Sequence, residues 1–120
     1  VLGSERYAVI PGLINAHHHS NGTTSQQDGI PDRLLELWLL SLAQRRPGSS
    51  YLATLLSSAR LLRTGVTAVV DVHKGGGRAD AFRANILDCL RAYDEAGMRV
   101  AFASGIYERS FLVWGAGAYT

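Results

Sequence analysis

The 120-residue sequence predicts an α/β fold in which parallel strands are joined by helical crossovers. Three observations carry that prediction. The segment Val66-Thr67-Ala68-Val69-Val70-Asp71-Val72 is rich in β-branched residues and nearly continuous in apolarity, as a strand buried on both faces is. Two stretches with apolar residues at helical spacing precede it, and one follows. Shorter apolar runs at 13–16 and 98–104 complete an order of strand, helix pair, strand, helix, strand. Right-handed crossovers bring the carboxyl ends of such strands to one edge, where α/β proteins bind ligands.

Residues 1–10 are mildly apolar and read as a strand or its tail. Pro11-Gly12 breaks it before Leu13-Ile14-Asn15-Ala16, which runs into His17-His18-His19. From Ser20 to Gly29 the composition is polar, a loop long enough to be functional and to lie across the mouth of a site. Pro31 suits the first turn of a helix whose expected buried stripe is Leu34, Leu35, Trp38, Leu39 and Leu42, and Pro47-Gly48 ends it. Ser49 or Ser50 caps a second helix, with Leu52, Leu55, Leu56, Ala59 and Leu62 expected inward. Gly65 stands where a left-handed C-terminal cap is wanted. After the central strand, Lys74-Gly75-Gly76-Gly77 forms a turn that lacks the spacing of a phosphate cradle. Asp80 then caps a helix with Phe82, Ile86, Cys89, Leu90 and Tyr93 inward, and Gly97 ends it before the strand Met98 to Ser104. Residues 105–120 carry no assignable pattern.

Composition is that of an ordinary globular domain: 47% hydrophobic, 18% charged, net charge +2. Basic residues are dispersed and form no stripe with aromatics, which argues against nucleic acid as a partner. No apolar run reaches the ~18 residues of a membrane span, and no signal-type segment opens the chain, so a cytoplasmic protein without a membrane partner is expected. The single cysteine, Cys89, rules out an internal disulfide and reads as a small buried apolar group.

The triplet His17-His18-His19 holds three of the four histidines. Side chains two apart on a strand share a face, so His17 and His19 present two imidazoles to one side while His18 faces the other. Two such rings can hold one divalent cation of the imidazole-binding kind: Zn, Fe, Ni or Cu. A purification tag and an ordinary polar loop are the competing readings. Asn15 points with the pair and can hydrogen-bond nearby or fill the floor of the sheet. His73, at the end of the central strand, either approaches substrate or metal or is a solvated loop residue. Asp71 is expected to tie the following turn through its backbone amides, and Trp38 to lie in the core.

These residues carry a family resemblance. Pro11-Gly12-Leu13-Ile14-Asn15-Ala16-His17-His18-His19 resembles the PG-[LF]-[IV]-[ND]-x-H-x-H signature of the amidohydrolase superfamily of metal-dependent hydrolases. Gly65 to Asp71 is similar to its second-strand segment, G-[VT]-T-x-[VF]-x-D, and Ala96-Gly97-Met98-Arg99 to its third-strand AG-[ILM]-R. The helices between fall where the cytosine deaminase, S-adenosylhomocysteine deaminase and chlorohydrolase branch carries its own.

The resemblance implies a (β/α)8 TIM barrel, of which the chain supplies the first three strands. Residues 1–10 are then the end of a small β-sandwich segment and 11–120 the amino-terminal part of the barrel. It implies His17 and His19 as metal ligands, Zn ahead of Fe, with His73 and Asn15 as candidate contacts to substrate or to the ligating rings. It also implies a small-molecule substrate, and homo-oligomer formation by the full-length protein is expected. The family's later ligands and acid, two histidines and an aspartate on further strands, have no counterpart here, so no catalytic acid or base is assigned. The chain is expected to be the first third of a longer enzyme, inactive alone and prone to self-association through its open sheet edge. The implied reaction is deamination of a cyclic amidine or purine-like ring by metal-activated water. A dinuclear cyclic amidase remains an alternative, as does a noncatalytic nucleotide- or metal-binding remnant. Glu108 and Arg109, beyond the third strand, take no role.

Overall fold

The computed structural model describes residues 6–42, 45, 48–73 and 79–105. Along them run β1 (Leu13–His18), α1 (Leu35–Leu42), α2 (Ser50–Arg63), β2 (Val66–His73), α3 (Ala79–Glu95) and β3 (Arg99–Ser104). The strands form one sheet in the order β1-β2-β3, parallel throughout, as helical crossovers require. This open three-stranded sheet is compatible with the first part of a (β/α)8 barrel.

β2 is central and pairs on both edges, which accounts for its near-continuous apolarity. Val69 on β2 packs with Tyr93 of α3 and Met98, and Leu61, Val100 and Phe102 close around them. The helix ends follow local chemistry. Ser49 caps α2 by accepting the Leu52 N–H at 3.2 Å. α3 ends in a Schellman motif: Met98 N–H reaches the Tyr93 carbonyl at 3.0 Å, Gly97 N–H reaches Asp94 at 2.9 Å, and Gly97 has φ +67°. Met98 therefore belongs to the cap, and β3 starts one residue later.

Five expectations are corrected. α1 begins at Leu35 rather than at Pro31, because the preceding chain is committed to a turn in which Ile30 N–H bonds the Ser25 carbonyl at 2.9 Å. None of its residues is buried, and Leu34 and Leu35 are 76% and 62% exposed, so the expected stripe is not a buried face, with Trp38, Leu39 and Leu42 only half-covered. α2 turns Thr54, Ser57 and Ser58 inward, leaving Leu52, Leu56 and Leu62 exposed. Small side chains let the helix come close to the sheet and to α3; Ser57 meets His18 there, while Thr54 Oγ1 and Ser58 Oγ have no hydrogen-bond partner among the described residues. Asp80 lies within the first turn of α3 rather than at its cap, and Leu90 is on the exposed side.

Pro47, the turn Lys74 to Gly77, Glu108 and Arg109 lie outside the described residues, as do residues 1–5 of the expected sandwich segment; 6–10 are exposed. No helix among the described residues is long and apolar enough to cross a membrane.

Candidate metal centre

The site begins where β1 enters the sheet. A Cβ at Gly12 would fall on the Oγ1 and Cγ2 atoms of Thr67, so only glycine lets the chain pass this close to β2. β1 then pairs with β2 irregularly: Asn15 lies opposite Val69 and His18 opposite Asp71, so β1 carries one extra residue across that interval. Such a bulge re-aims side chains and takes an amide out of the ladder. The Asn15 side chain accounts for the amide, its Oδ1 accepting the His17 N–H at 3.1 Å. Asn15 thus shapes the backbone of the bulge.

Past the bulge the imidazoles of His17 and His19 converge. Their Nε2 atoms are 3.0 Å apart, with the rings edge to face at 89°. His19 Nδ1 lies 2.7 Å from the Val72 carbonyl. A carbonyl only accepts, so Nδ1 carries the proton and Nε2 of neutral His19 presents its lone pair. His17 Nε2–H is then the donor between the rings. Fitting the pair to a cation is a matter of chemistry and spacing. Two imidazole nitrogens on a tetrahedral Zn, each ~2.0–2.1 Å from it, stand about 3.3 Å apart, close to the separation seen. The backbone acceptor on His19 is the partner that a ligating imidazole ordinarily has. His17 would need its proton on Nδ1 to join as a second ligand. No group of three or more His, Cys, Asp or Glu gathers among the described residues, so these two imidazoles are a partial donor set.

His18 turns the other way, toward α2. Its Nε2 is 3.2 Å from Ser57 Oγ, whose own proton goes to the Thr54 carbonyl at 2.9 Å. Burial holds the His18 pKa below the ordinary imidazole value, against the opposing pull of Asp71. Ser20 follows His19 in the left-handed region at φ +51°, a conformation that costs a non-glycine residue on the order of 1 kcal/mol.

Asp71 is fully buried beneath this segment. Its Oδ2 accepts the Ser20 hydroxyl and the Tyr93 hydroxyl, the latter at 2.9 Å, while Oδ1 has no partner among the described residues. The expectation that Asp71 ties the turn after β2 is therefore corrected: alternation along β2 puts it on the face of Val69, toward the helices. Burial raises its pKa above the usual carboxylate value, with the Tyr93 hydroxyl and then His18 pulling it back. Tyr93 is pushed well above the ordinary phenol value, again by burial first. Sequence reasoning missed Ser20 and Tyr93. The available signal was an acid inside an apolar strand, which needs buried donors.

His73 does not join His17 and His19. It lies on the helix side of the sheet with its ring 6.2 Å from Phe82 and 5.1 Å from Phe102, and its Nδ1 4.0 Å from Cys89 Sγ. Burial lowers its pKa. The polar loop after the triplet is folded back onto the helices. Arg60 holds the Gly22 carbonyl at 2.5 Å, Arg45 pairs with Asp28 at 2.5 Å, and Trp38 Nε1 donates to Ser25 Oγ at 3.2 Å. Trp38 is thus a half-covered loop anchor rather than a core residue. An open groove of about 1210 Å³ lies beside this loop, and His19 is in its wall.

Comparison with known proteins gives a consistent picture. The profile of the amidohydrolase family matches residues 8–118. The chain is 30% identical over 104 residues to a 5-methylthioadenosine/S-adenosylhomocysteine deaminase of Acetivibrio thermocellus, covering 82% of this chain and 22% of that enzyme. It is 30% identical over 110 residues to the like-named enzyme of Natronomonas pharaonis, covering 88% and 23%. With an 8-oxoguanine deaminase of Pseudomonas aeruginosa it shares 36% identity over 75 residues, covering 58% and 17%. The chain spans about a fifth of the length of these relatives. No solved structure matches it.

Proposed function

Because this chain belongs to the amidohydrolase family, we propose that it supplies the first-strand part of a metal-dependent hydrolase that deaminates an amino-substituted, purine-like ring. The observation that carries the proposal is the convergence of His17 Nε2 and His19 Nε2 at 3.0 Å, with His19 Nδ1 committed to the Val72 carbonyl. These two nitrogens would hold a divalent cation, zinc ahead of iron, together with donors from chain beyond the three strands. A cation held there supplies the acidity that makes water available as a nucleophile near neutral pH.

The chain's own residues do the holding and orienting. His19 is fixed by Val72, and the bulge that aims His17 is stabilised by Asn15. His18 stays out of the chemistry, engaged with Ser57. The net reaction adds water across an exocyclic carbon–nitrogen bond: the ring carbon keeps the oxygen and the amine leaves as ammonia. The same reading includes a (β/α)8 barrel completed outside these residues, a small-molecule substrate, and a full-length protein that is cytoplasmic and homo-oligomeric. The relatives' names indicate the first compounds to try: S-adenosylhomocysteine, 5-methylthioadenosine and 8-oxoguanine.

The test is metal analysis of the full-length protein beside ammonia release over that panel, for wild type, His17→Ala and His19→Ala. The proposal predicts a bound divalent metal and ammonia from at least one ring amine, with both lost in either variant. Unchanged metal content in both variants would overturn it.

A further inference from the structure

We infer that Asp71 is a positioning residue for the His17–His19 pair, acting through Ser20 and Tyr93; the inference rests on reading that pair as a cation site. Asp71 grips the chain on both sides of His19. Its backbone lies opposite His18 in the β1–β2 ladder, and its carboxylate holds the hydroxyl of Ser20. The residue after Asp71 is Val72, whose carbonyl receives His19 Nδ1–H at 2.7 Å. One short stretch of β2 therefore sets the place of residue 18, the ring of residue 19 and the turn at residue 20.

That turn needs holding. Ser20 is 6% exposed and has φ +51°, which its own conformational preference does not favour. The charge-assisted bond to Asp71 is the contact that keeps it there, and Tyr93 completes the clamp from α3 with its oxygen 3.3 Å from Ser20 Oγ. If the position served packing alone, an apolar residue such as its neighbour Val69 would fill it without desolvating a carboxylate. Asp71 instead remains fully buried, with Oδ1 unpartnered among the described residues. Its use is to hold two hydroxyls, one of them adjoining a candidate ligand.

The experiment measures Zn affinity by chelator competition, the visible absorption of the Co-substituted site, and thermal unfolding, all in the full-length protein. Ser20→Gly keeps the left-handed turn accessible while removing the hydroxyl along with the Cβ that carries it. Ser20→Gly and Asp71→Ala are expected to weaken Zn binding about 10–100-fold and to shift the Co bands, while Asp71→Asn, which keeps an acceptor, stays within about threefold of wild type. Tyr93→Phe changes affinity in the same direction by less. Val69→Ala, a core residue on the same face, lowers the melting temperature and leaves affinity and spectrum unchanged. Wild-type Zn affinity and Co spectrum in Ser20→Gly, Asp71→Ala and Tyr93→Phe would overturn the inference, as would an equal loss in Val69→Ala. In either case His17→Ala and His19→Ala would still lose metal. If those two variants kept their metal, the underlying reading would fall, and this inference with it.

Discussion

His19 donates its Nδ1–H to the carbonyl of Val72 at 2.7 Å, so the backbone of β2 fixes an imidazole at the end of β1. That bond leaves Nε2 free to accept and points it at His17, 3.0 Å away. Sheet register and site geometry are here one fact. A one-residue slip of β1 against β2 would exchange the faces of all three histidines and part His19 from its acceptor.

Gly12 and Gly65 serve different ends and should fail differently. Gly12→Ala forces a Cβ into Thr67 and is expected to destabilise the protein by about 2 kcal/mol or more while loosening β1. Gly65 has φ +84° with nothing near its missing Cβ, so Gly65→Ala meets only backbone strain and costs about 1 kcal/mol. Chemical denaturation of the full-length variants checks the order. Metal affinity should fall for Gly12→Ala alone.

Val69 is 2% exposed at the centre of the core shared by β2, α3 and Met98. Val69→Ala is expected to cost about 2 kcal/mol through lost burial and a partly unfilled cavity. A change below a few tenths of a kcal/mol would mean that this cluster is not the core.

His73 gives a pH dependence with a definite sign. Its ring lies by Phe82 and Phe102 with Cys89 Sγ nearby, and burial depresses its pKa below 6.5, against the pull of Asp71. Because the fold favours the neutral ring, this stability is present above the unfolded pKa and is lost as pH falls through the folded one. Burial of His18 acts in the same direction. Asp71 acts oppositely: its raised pKa means that its protonation favours the folded state in the window above 3.8. Urea midpoints between about pH 7.5 and 5.5 should fall toward acid, more gently in His73→Gln. Equal slopes would contradict the half-buried placement of His73.

The 120-residue chain alone should self-associate. Ile14, Leu34, Leu35 and Leu52 are 72%, 76%, 62% and 61% exposed, and among the described residues β1 and β3 are the edge strands of the sheet. Light scattering after gel filtration is expected to report oligomers; a monodisperse monomer that melts cooperatively would contradict this.

Much of the architecture is legible in the residues. The β-branched run at 66–72, the helical spacings and Gly65 and Gly97 locate the strands, crossovers and helix ends, because these are local preferences. What the chain does not announce is which helix face turns inward. The leucines of α2 outrank Thr54, Ser57 and Ser58 on any hydrophobicity scale, yet close approach to α3 favours small side chains, and Ser57 finds a polar partner in His18. Asp71 shows the same limit. Its side-chain direction follows from period two, but its partners, 51 positions earlier at Ser20 and 22 later at Tyr93, come together only on folding. The bulge between Asn15 and His18 is likewise a product of pairing.

The most direct measurement is an anomalous-scattering map from crystals of the zinc-loaded full-length protein. The account predicts a peak ~2.0–2.1 Å from both His17 Nε2 and His19 Nε2, with His19 Nδ1 still on the Val72 carbonyl. Zinc bound elsewhere, with those two rings turned apart, would contradict it.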